Sequence, residues 1–556
     1  MQTINFTRRR FLETAVVATG AAMMPLGALA QPKAKFTRYN VMSPGGKKAL
    51  ASYARGIKAM LKLPADHPQN WFRNAFIHIM DCPHGNWWFY VWHRGYLGYF
   101  EETIRNLSGD PTFALPYWDW TTLPQLPDGI FDGVLTPRDM AFEPYTGDLA
   151  RFTAFLQPAM KKYWDSLNSA QRGQLNLRGY TEFDLLWNDV TGFNPNLDSG
   201  VGISGNMSYA ITCGSRYVTR ENPKLDGKTA YDVSPFVVYG GLLPTDFYNP
   251  EVAGGELVLS FTSSKTPSHT TPPGSATEFS VLEGMPHNLV HNFIGGVGAV
   301  DPGPYGSMTN FLSPVDPIFF LHHANLDRLW DVWTRKQKRL NLPALPTGPD
   351  LDTFSKDPFL FYVNGKGEHV GESKAGDYVS MDRFKYEYEP GFGEKVVQPP
   401  TDPALLKSNP AASLKGSIKD NSGSVPVPAI AIQKHLAAAT GPALLAKITL
   451  PHPDTTTSVT RQFDVIVGAP AGVTQVDANS PYYAGTIAFF GNMSGMKGMP
   501  MDATFTVPLP KAPQAFAEAL AAAPNNAPPP GVSIRVVPAH GRGKAPALKS
   551  VSMHAL

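Results

Sequence analysis

The stretch DPIFFLHHANLDRLW, residues 316–330, is the part of the sequence that decides the fold. Apolar residues recur at helical spacing across Ile318–Leu340, which predicts one long helix. Two adjacent histidines, His322 and His323, lie within this apolar segment. Such a pair is either a hydrogen-bonded core pair or a source of metal ligands, so its meaning depends on the histidines elsewhere.

A second histidine pair stands upstream in EGMPHNLVH, residues 283–291. His287 and His291 are four residues apart, so on a helix they share one face with their Cβ atoms about 5–6 Å apart. Both imidazoles can then reach one ion, and a third imidazole from the helix at 316–330 completes a three-histidine site. We therefore predict a metal site between these two helices.

A third window supplies three more imidazoles, His78, His84 and His93, around an aromatic segment that predicts a helix over Trp87–Leu107. Imidazole suits copper, zinc and iron. Helices that present histidines inward are a known way to build a metal pair in a bundle. One histidine pair alone would be weak support for a metal site. The three windows together favour two facing metal sites over core histidines that are only hydrogen-bonded.

Composition narrows the function classes. A chain of 556 residues fits two or three domains. The 48 basic and 46 acidic residues leave a formal charge of +2, which argues against a large nucleic-acid surface. Only two cysteines are present, Cys82 and Cys213, so a disulfide framework is excluded while one disulfide or a free thiol stays open.

The N-terminus carries a predicted export signal over residues 1–30. TRRRFL at residues 7–12 precedes an apolar run that ends in Ala-Leu-Ala before Gln31, which is typical of a twin-arginine signal. The run is short and weakly apolar for a membrane anchor. We expect export by the twin-arginine machinery, a periplasmic or secreted location and no membrane span after cleavage.

The rest of the chain predicts two domains. Residues 31–395 predict a mainly α domain with a four-helix bundle core and long loops. Residues 396–428, rich in Pro, Ser, Lys and Asp, predict a linker. Residues 429–556 predict a β-sandwich. Its predicted strands are 446–450, 462–467, 482–490, 503–507 and 532–537.

Four motifs make residues 36–390 resemble the tyrosinase family, also called polyphenol oxidases: HGNWWFYVWHRGYLGYFE (84–101), PYWDW (116–120), HNLVH (287–291) and the opening stretch. The resemblance implies two copper ions, a small phenolic substrate and O2. It implies ortho-hydroxylation of monophenols and oxidation of o-diphenols to o-quinones.

The resemblance also implies the copper ligands. The two sets are His78, His84 and His93 for the first copper and His287, His291 and His323 for the second. His322 then has an outer role, because in the family the second member of the histidine pair binds metal. The spacing between His78 and His84 is shorter than in many relatives, and His67 is the alternative to His78.

Further roles follow from the motifs. Cys82-Pro-His84 implies a thioether between the Cys82 sulfur and a ring carbon of His84, with a free thiol or a disulfide to Cys213 as alternatives. Glu283 and Asn288 match positions that orient a water for removal of the phenol proton. Their ordinary alternatives are a helix-end acid and a polar helix residue.

Several supporting residues are predicted as well. Asp316 and Asp327, with backbone groups, are candidate acceptors for the outer N–H of the copper-bound imidazoles, and the alternative for Asp327 is a structural ion pair with Arg328. Phe311 resembles a bulky gate residue that shields the first copper. Tyr386-Glu-Tyr388 resembles a motif that docks an arginine, here Arg38.

The domain at 429–556 resembles a β-sandwich that covers the copper site of latent polyphenol oxidases, and we predict that it acts as a lid. The cluster Met493, Met496, Met499 and Met501 is either a transient copper-delivery patch or apolar packing.

The rival functions are a catechol oxidase without monophenol hydroxylation, an o-aminophenol or peptide-tailoring oxidase and, from another class, a hemocyanin-like oxygen carrier. His-x-His motifs of multicopper laccases are absent from the sequence. The physiological phenol and the oligomeric state are not specified by these motifs.

Overall fold

A computed structural model describes residues 34–143, 145, 148–191, 216–250, 258–270, 276–297, 306–398, 413–452, 461–490, 502–521, 531–541 and 543–556. The predicted signal at 1–30, Cys213 and the methionine cluster at 493–501 lie outside the described residues. Within the described part of the chain, none of the helices combines the length and the apolar character needed to cross a membrane.

Residues 34–398 are mainly helical, which confirms the predicted fold class. The helices are α1 (Pro44–Lys62), α2 (Trp71–Asp81), α3 (Phe89–Ser108), α4 (Leu149–Ser166), α5 (Ser169–Leu177), α6 (Phe183–Thr191), α7 (Gly227–Asp232), α8 (Pro235–Leu242), α9 (Asn288–Gly295), α10 (Ile318–Leu340) and α11 (Pro349–Lys356). Helices α2, α3, α9 and α10 bring the motif histidines together at their centre.

Helix α10 has the predicted bounds and ends where Asn341 takes a left-handed conformation with φ 56°. The segment predicted as one helix from Glu283 instead begins with a π-helical turn, Glu283–His287, before α9. Pro286 lies in this turn, and proline has no N–H to continue the α-helical hydrogen bonds. The irregular turn therefore sets the direction in which His287 enters the core.

Two short parallel strands, β1 (Phe36–Arg38) and β3 (Tyr386–Tyr388), tie the ends of the helical part together. The buried Arg38 guanidinium lies 3.6 Å from the centroid of the Tyr386 ring, and its Nε donates to Glu101 at 2.8 Å. This confirms the predicted docking of Arg38 on the tyrosine motif.

The C-terminal part is a β-sandwich, as predicted. Its strands are β4 (Ser413–Lys415), β5 (Ser417–Lys419), β6 (Ser422–Pro426), β7 (Leu444–Pro451), β8 (Gln462–Val467), β9 (Tyr483–Ala488), β10 (Asp502–Pro508), β11 (Gly531–Pro538) and β12 (Ser550–Ala555). With β2 (Thr277–Phe279) from the helical part, they form two five-stranded sheets, in the orders β2-β10-β7-β12-β4 and β5-β6-β11-β8-β9. Two helices, α12 (Ala429–Ala437) and α13 (Ala517–Ala521), accompany the sheets.

The predicted linker at 396–428 was wrong in its second half, because residues 413–426 form strands β4 to β6. All three residues of β5 are exposed. Polar edge strands of this kind bury little and show weak apolar alternation, so their composition is close to that of a linker.

The two parts share a sheet. Strand β2 (Thr277–Phe279) comes from the helical part and pairs in parallel with β10 at the edge of the sandwich. The buried Glu278 of β2 forms an ion pair with the buried Lys447 of β7. The sandwich is therefore held against the helical part by backbone pairing as well as by a desolvated charge pair.

Candidate metal centre

The first cluster of possible ligands lies between α2, α3 and the connection that joins them. His78, Cys82, His84 and His93 offer ligand atoms that all lie within 4.8 Å of one another, and all four residues are buried. His78 lies on α2 and His93 on α3, while Cys82 and His84 lie in the connection. The structure therefore brings the three predicted histidines of the first set together.

Backbone carbonyls orient two of these rings. His78 Nδ1 is 2.6 Å from the Phe311 carbonyl oxygen, and His93 Nδ1 is 2.7 Å from the Phe89 carbonyl oxygen. A carbonyl only accepts, so Nδ1 donates in both cases and Nε2 keeps its lone pair. His78 Nε2 has no hydrogen-bond partner among the described residues, as expected of an atom prepared for a metal.

The second cluster lies between α9 and α10. His287, His291, His322 and His323 offer ligand atoms that also lie within 4.8 Å of one another. His291 Nδ1 donates to the Met308 carbonyl at 2.8 Å, which leaves its Nε2 lone pair free. That Nε2 lies 3.1 Å from His323 Nε2, close enough for the two nitrogens to share an ion.

The second cluster has four histidines, one more than the three that a metal site with an open position needs. A contact from Trp120 distinguishes His322 from the other three. Its Nε1–H donates to His322 Nδ1 at 3.2 Å. Indole is a donor only, so a neutral His322 carries its proton on Nε2 and offers no lone pair there. This contact supports the predicted outer role of His322 and is consistent with the prediction of His323 as the third ligand.

The two clusters face each other directly. The rings of His93 and His323 are stacked, with centroids 4.1 Å apart and planes 10° apart. The rings of His84 and His287 are also stacked, at 5.7 Å and 30°. Two ions held by the two clusters would therefore be neighbours, as a centre that binds one small molecule between two metals requires.

Burial keeps the imidazoles neutral. The pKa of His78 and of His287 is lowered to about 3, mainly by desolvation, and at His78 the neighbouring His287 and Arg178 contribute to the lowering. Burial also lowers the pKa of His84, His93 and His323 well below the usual value. Metal binding needs neutral imidazole with a free lone pair, and these histidines are already neutral at neutral pH.

Glu283 and Asn288, the predicted water-orienting pair, lie beside different parts of the centre. Glu283 accepts from the Gly85 N–H at 2.6 Å and from the Ser263 hydroxyl at 2.5 Å. Burial raises the pKa of Glu283 to about 8, although both hydrogen bonds oppose the shift. Asn288 Oδ1 accepts from His287 Nδ1 at 2.8 Å, which fixes that ring with Nε2 inward.

The predicted roles of Asp316 and Asp327 as acceptors for copper-ligand imidazoles were wrong. Asp316 pairs with Arg216 and accepts from the Ile318 N–H at the start of α10. Asp327 binds Arg94 at 2.7 Å and accepts from Tyr388. Burial opposes its ionisation, but the nearby guanidiniums hold the pKa of Asp327 below its usual value.

Two phenylalanines cover the first cluster and the gap between the clusters. The ring of Phe311, the predicted gate, lies 5.2 Å from that of His84. Phe490, which the sequence did not single out, follows β9 of the sandwich, and its ring lies 4.2 Å from His291 and 5.3 Å from His84. The sandwich therefore inserts a side chain between the histidine clusters.

The remaining predicted site residues lie as follows. Cys82 is a free, buried cysteine whose Sγ is 3.8 Å from His84 Nε2 and 3.4 Å from His93 Nε2. His67 lies outside both clusters, where its Nδ1 accepts from the Gln69 N–H. Of the two alternatives, His78 is therefore the one that lies in the first cluster, beside His84 and His93.

Comparison with known proteins places these clusters in a family context. Residues 62–336 match the family model described as the common central domain of tyrosinase. The chain is 26% identical over 359 residues to a chloroplastic polyphenol oxidase of Vitis vinifera. The aligned region covers 62% of this chain and 46% of that protein. It is 26% identical over 341 residues to a tyrosinase of Hahella sp. (strain CCB-MM4), covering 60% and 52%.

The chain thus spans about half of the length of these curated relatives. Among solved structures, a latent aurone synthase (polyphenol oxidase) from natural source superposes with a TM-score of 0.50 at 20% identity. That match covers 94% of this chain and 90% of the other, so the likeness in fold extends over both the helical part and the sandwich.

Proposed function

This chain belongs to the tyrosinase family through its central domain, residues 62–336, and from that premise we propose that it oxidises phenols with O2 at a pair of copper ions. The observation that carries the proposal is the stacking of His93 on His323, which places two three-histidine sets face to face. Neutral imidazole donors with inward Nε2 atoms fit copper.

We assign the first copper to His78, His84 and His93 and the second to His287, His291 and His323. When bound, the copper pair supplies O2 binding and the acceptance of electrons from the phenol. The chain's part is to hold the rings rigidly. Carbonyls of Phe311, Phe89 and Met308 and the Asn288 amide oxygen fix the outer nitrogens, and such outer contacts stabilise metal ligands.

Glu283 is the proposed proton acceptor of the site. A general base works best when its pKa lies near the operating pH, and burial raises that of Glu283 to about 8. Its Oε1 binds the Gly85 N–H, beside the proposed ligand His84. We assign to Glu283, with Asn288 and a water between them, the uptake of the proton that a monophenol loses on binding.

A thioether between Cys82 and His84 is part of the proposal. Its formation joins Sγ to a ring carbon and removes one hydrogen from each, two electrons and two protons that O2 takes up. Peptide mapping of the copper-loaded protein is expected to show a cross-linked segment lighter by two hydrogens. Cys82→Ser provides the control. Quantitative alkylation of Cys82 in denatured, copper-loaded protein would contradict the thioether.

The sandwich at residues 413–556 is the proposed lid. Phe490 contacts rings of both clusters, and an ion pair between the partly exposed Lys228 and the buried Asp464, at 2.6 Å, joins α7 to β8. A substrate ring cannot occupy the position of the Phe490 ring while the sandwich is docked. The full-length chain is therefore proposed to be latent.

A paired assay tests the proposed function. Purified, copper-loaded protein, both as the full-length chain and as the Phe490→Ala variant in which the lid contact is weakened, is given 4-methylcatechol and 4-methylphenol, and O2 uptake and quinone absorbance are recorded. Turnover of both is expected. Turnover of the catechol alone would limit the protein to a catechol oxidase, and reversible O2 binding without turnover of either would favour an oxygen carrier.

The twin-arginine export signal stays a prediction for residues 1–30.

A further inference from the structure

The lid occupies the metal centre with main-chain atoms as well as with a ring. Asn288 Nδ2 donates to the Ala488 carbonyl at 2.8 Å, and Asn292 Nδ2 donates to the Phe489 carbonyl at 3.0 Å. The next residue, Phe490, places its ring 4.2 Å from His291. Three consecutive lid residues therefore occupy three adjacent subsites: two amide donors and one aromatic position.

Both asparagines belong to α9 and are buried, with exposures of 1% and 0%. They are four residues apart, so they lie on one helix face, rotated by about 100° from the face that presents His287 and His291. The donors thus have a fixed position relative to the proposed copper ligands. They contact peptide carbonyls, which every polypeptide offers whatever its side chains.

Attachment of the lid does not depend on these two contacts alone. Strand β2 pairs with β10, Lys447 pairs with Glu278, and Asp232 accepts from the Thr486 N–H, all outside the gap between the histidine clusters. When the lid is displaced, α9 presents two unpaired N–H groups beside the aromatic position. A ligand that covers these donors without supplying carbonyls buries them unmet, which is costly, so ligands that carry carbonyls there are favoured.

The orphan atom of Asn292 points to the same ligand chemistry. Its Oδ1 is buried without a hydrogen-bond partner among the described residues. A primary amide that donates through Nδ2 and has a free Oδ1 is suited to a second peptide group, which offers a carbonyl and an N–H together.

We propose, resting on the proposed function, that this site takes tyrosine or dopa residues carried within polypeptides. The phenol ring occupies the Phe490 position, the carbonyl of the preceding residue binds Asn292, and the carbonyl before that binds Asn288. The chemistry is unchanged: two catechol groups oxidised to o-quinones supply the four electrons and four protons that reduce one O2 to two waters.

The test compares three catechols on the full-length, copper-loaded protein. These are 4-methylcatechol with no carbonyl, N-acetyl-dopa amide with one preceding carbonyl, and acetyl-alanyl-dopa amide with two. We expect kcat/KM to rise about fivefold with each carbonyl. All three need the same open lid, so the open fraction cancels in the ratios. Equal kcat/KM for the three would overturn the proposal.

Asn292→Ala is the decisive variant. It also removes one lid contact, so activity on 4-methylcatechol is expected to rise, but the advantage of one carbonyl over none is expected to disappear. Asn176→Ala, at an exposed position on α5, is the matched control and should keep the wild-type ratios. An unchanged carbonyl advantage in Asn292→Ala would overturn the assignment of that residue.

A binding measurement separates this inference from the proposed function. Metal-free, full-length protein is titrated with acetyl-alanyl-phenylalanine amide and with 4-methylphenol by calorimetry. We expect the peptide to bind about 25-fold more tightly, with about fivefold of that ratio lost in Asn292→Ala. This result without any catechol turnover would sink the oxidase proposal alone. Catechol turnover with no peptide advantage in either measurement would sink only the inference.

Discussion

Replacing His291 with alanine is expected to lower oxidation of 4-methylcatechol by about 10³-fold, because metal-ion chemistry contributes several kcal/mol and about 1.4 kcal/mol corresponds to a factor of ten. His291 Nε2 lies 3.1 Å from His323 Nε2, and its Nδ1 is held by the Met308 carbonyl. Removing the ring leaves the second set with two ligands. We expect the copper content to fall from two ions per chain towards one.

The measurement combines metal analysis of the purified protein with O2 uptake. His67→Ala carries the same substitution at a histidine outside both clusters and should keep two copper ions and near wild-type activity. Because a loss of activity could also reflect misfolding, circular dichroism and the thermal midpoint accompany each assay. Full copper content and activity in folded His291→Ala protein would contradict the assigned site.

The same design separates the adjacent histidines. His323→Ala is expected to behave like His291→Ala. His322→Ala is expected to keep two copper ions, because Trp120 fixes His322 with its proton on Nε2. Copper loss in His322→Ala with full copper in His323→Ala would reverse the assignment.

Two histidines of the second set could be predicted from the sequence because their spacing is local. His287 and His291 are one helical turn apart, and the apolar helix that carries His323 has the predicted bounds. The two clusters face each other because the helices that carry them meet in one core. The first set is spread over α2, the connection that holds His84, and α3, so its members were expected from the resemblance of the motifs and not from helical spacing.

The groups that orient the ligands could not be predicted in the same way. Asp316 and Asp327 were reasonable acceptors by residue type, but a buried carboxylate takes its partner from the tertiary fold. Here the partners are Arg216 and Arg94, each at least 100 residues away along the chain. The acceptors in use are mostly backbone carbonyls, which every residue type provides.

The role of Phe490 could not be predicted from the sequence for a related reason. A phenylalanine at the end of a predicted strand has the pattern of a core residue, and the neighbouring Phe489 is indeed packed within the sandwich, 5.1 Å from Phe505. Only docking of the sandwich on α9 shows that the side chain after it serves the other domain. Lid function is a property of the interface between the two parts.

Replacing Phe490 with alanine in the full-length chain is expected to raise kcat/KM for 4-methylcatechol by about ten- to a hundredfold. The Phe490 ring is 3% exposed and packs against His291 and His84. Burying a phenylalanine side chain contributes about 1.5–3 kcal/mol, and each 1.4 kcal/mol is a factor of ten. Loss of that contribution increases the open fraction, to which the measured efficiency is proportional.

Ile430→Ala is the matched control, because Ile430 also belongs to the sandwich but is 61% exposed. It should leave kcat/KM unchanged. Copper content should stay at two ions in Phe490→Ala, since the Met308 carbonyl still holds the His291 ring from its outer side. An efficiency equal to wild type, with the fold and copper intact, would mean that docking of this ring does not limit access. The lid would then control activity, if at all, through the strand pairing of β2 with β10.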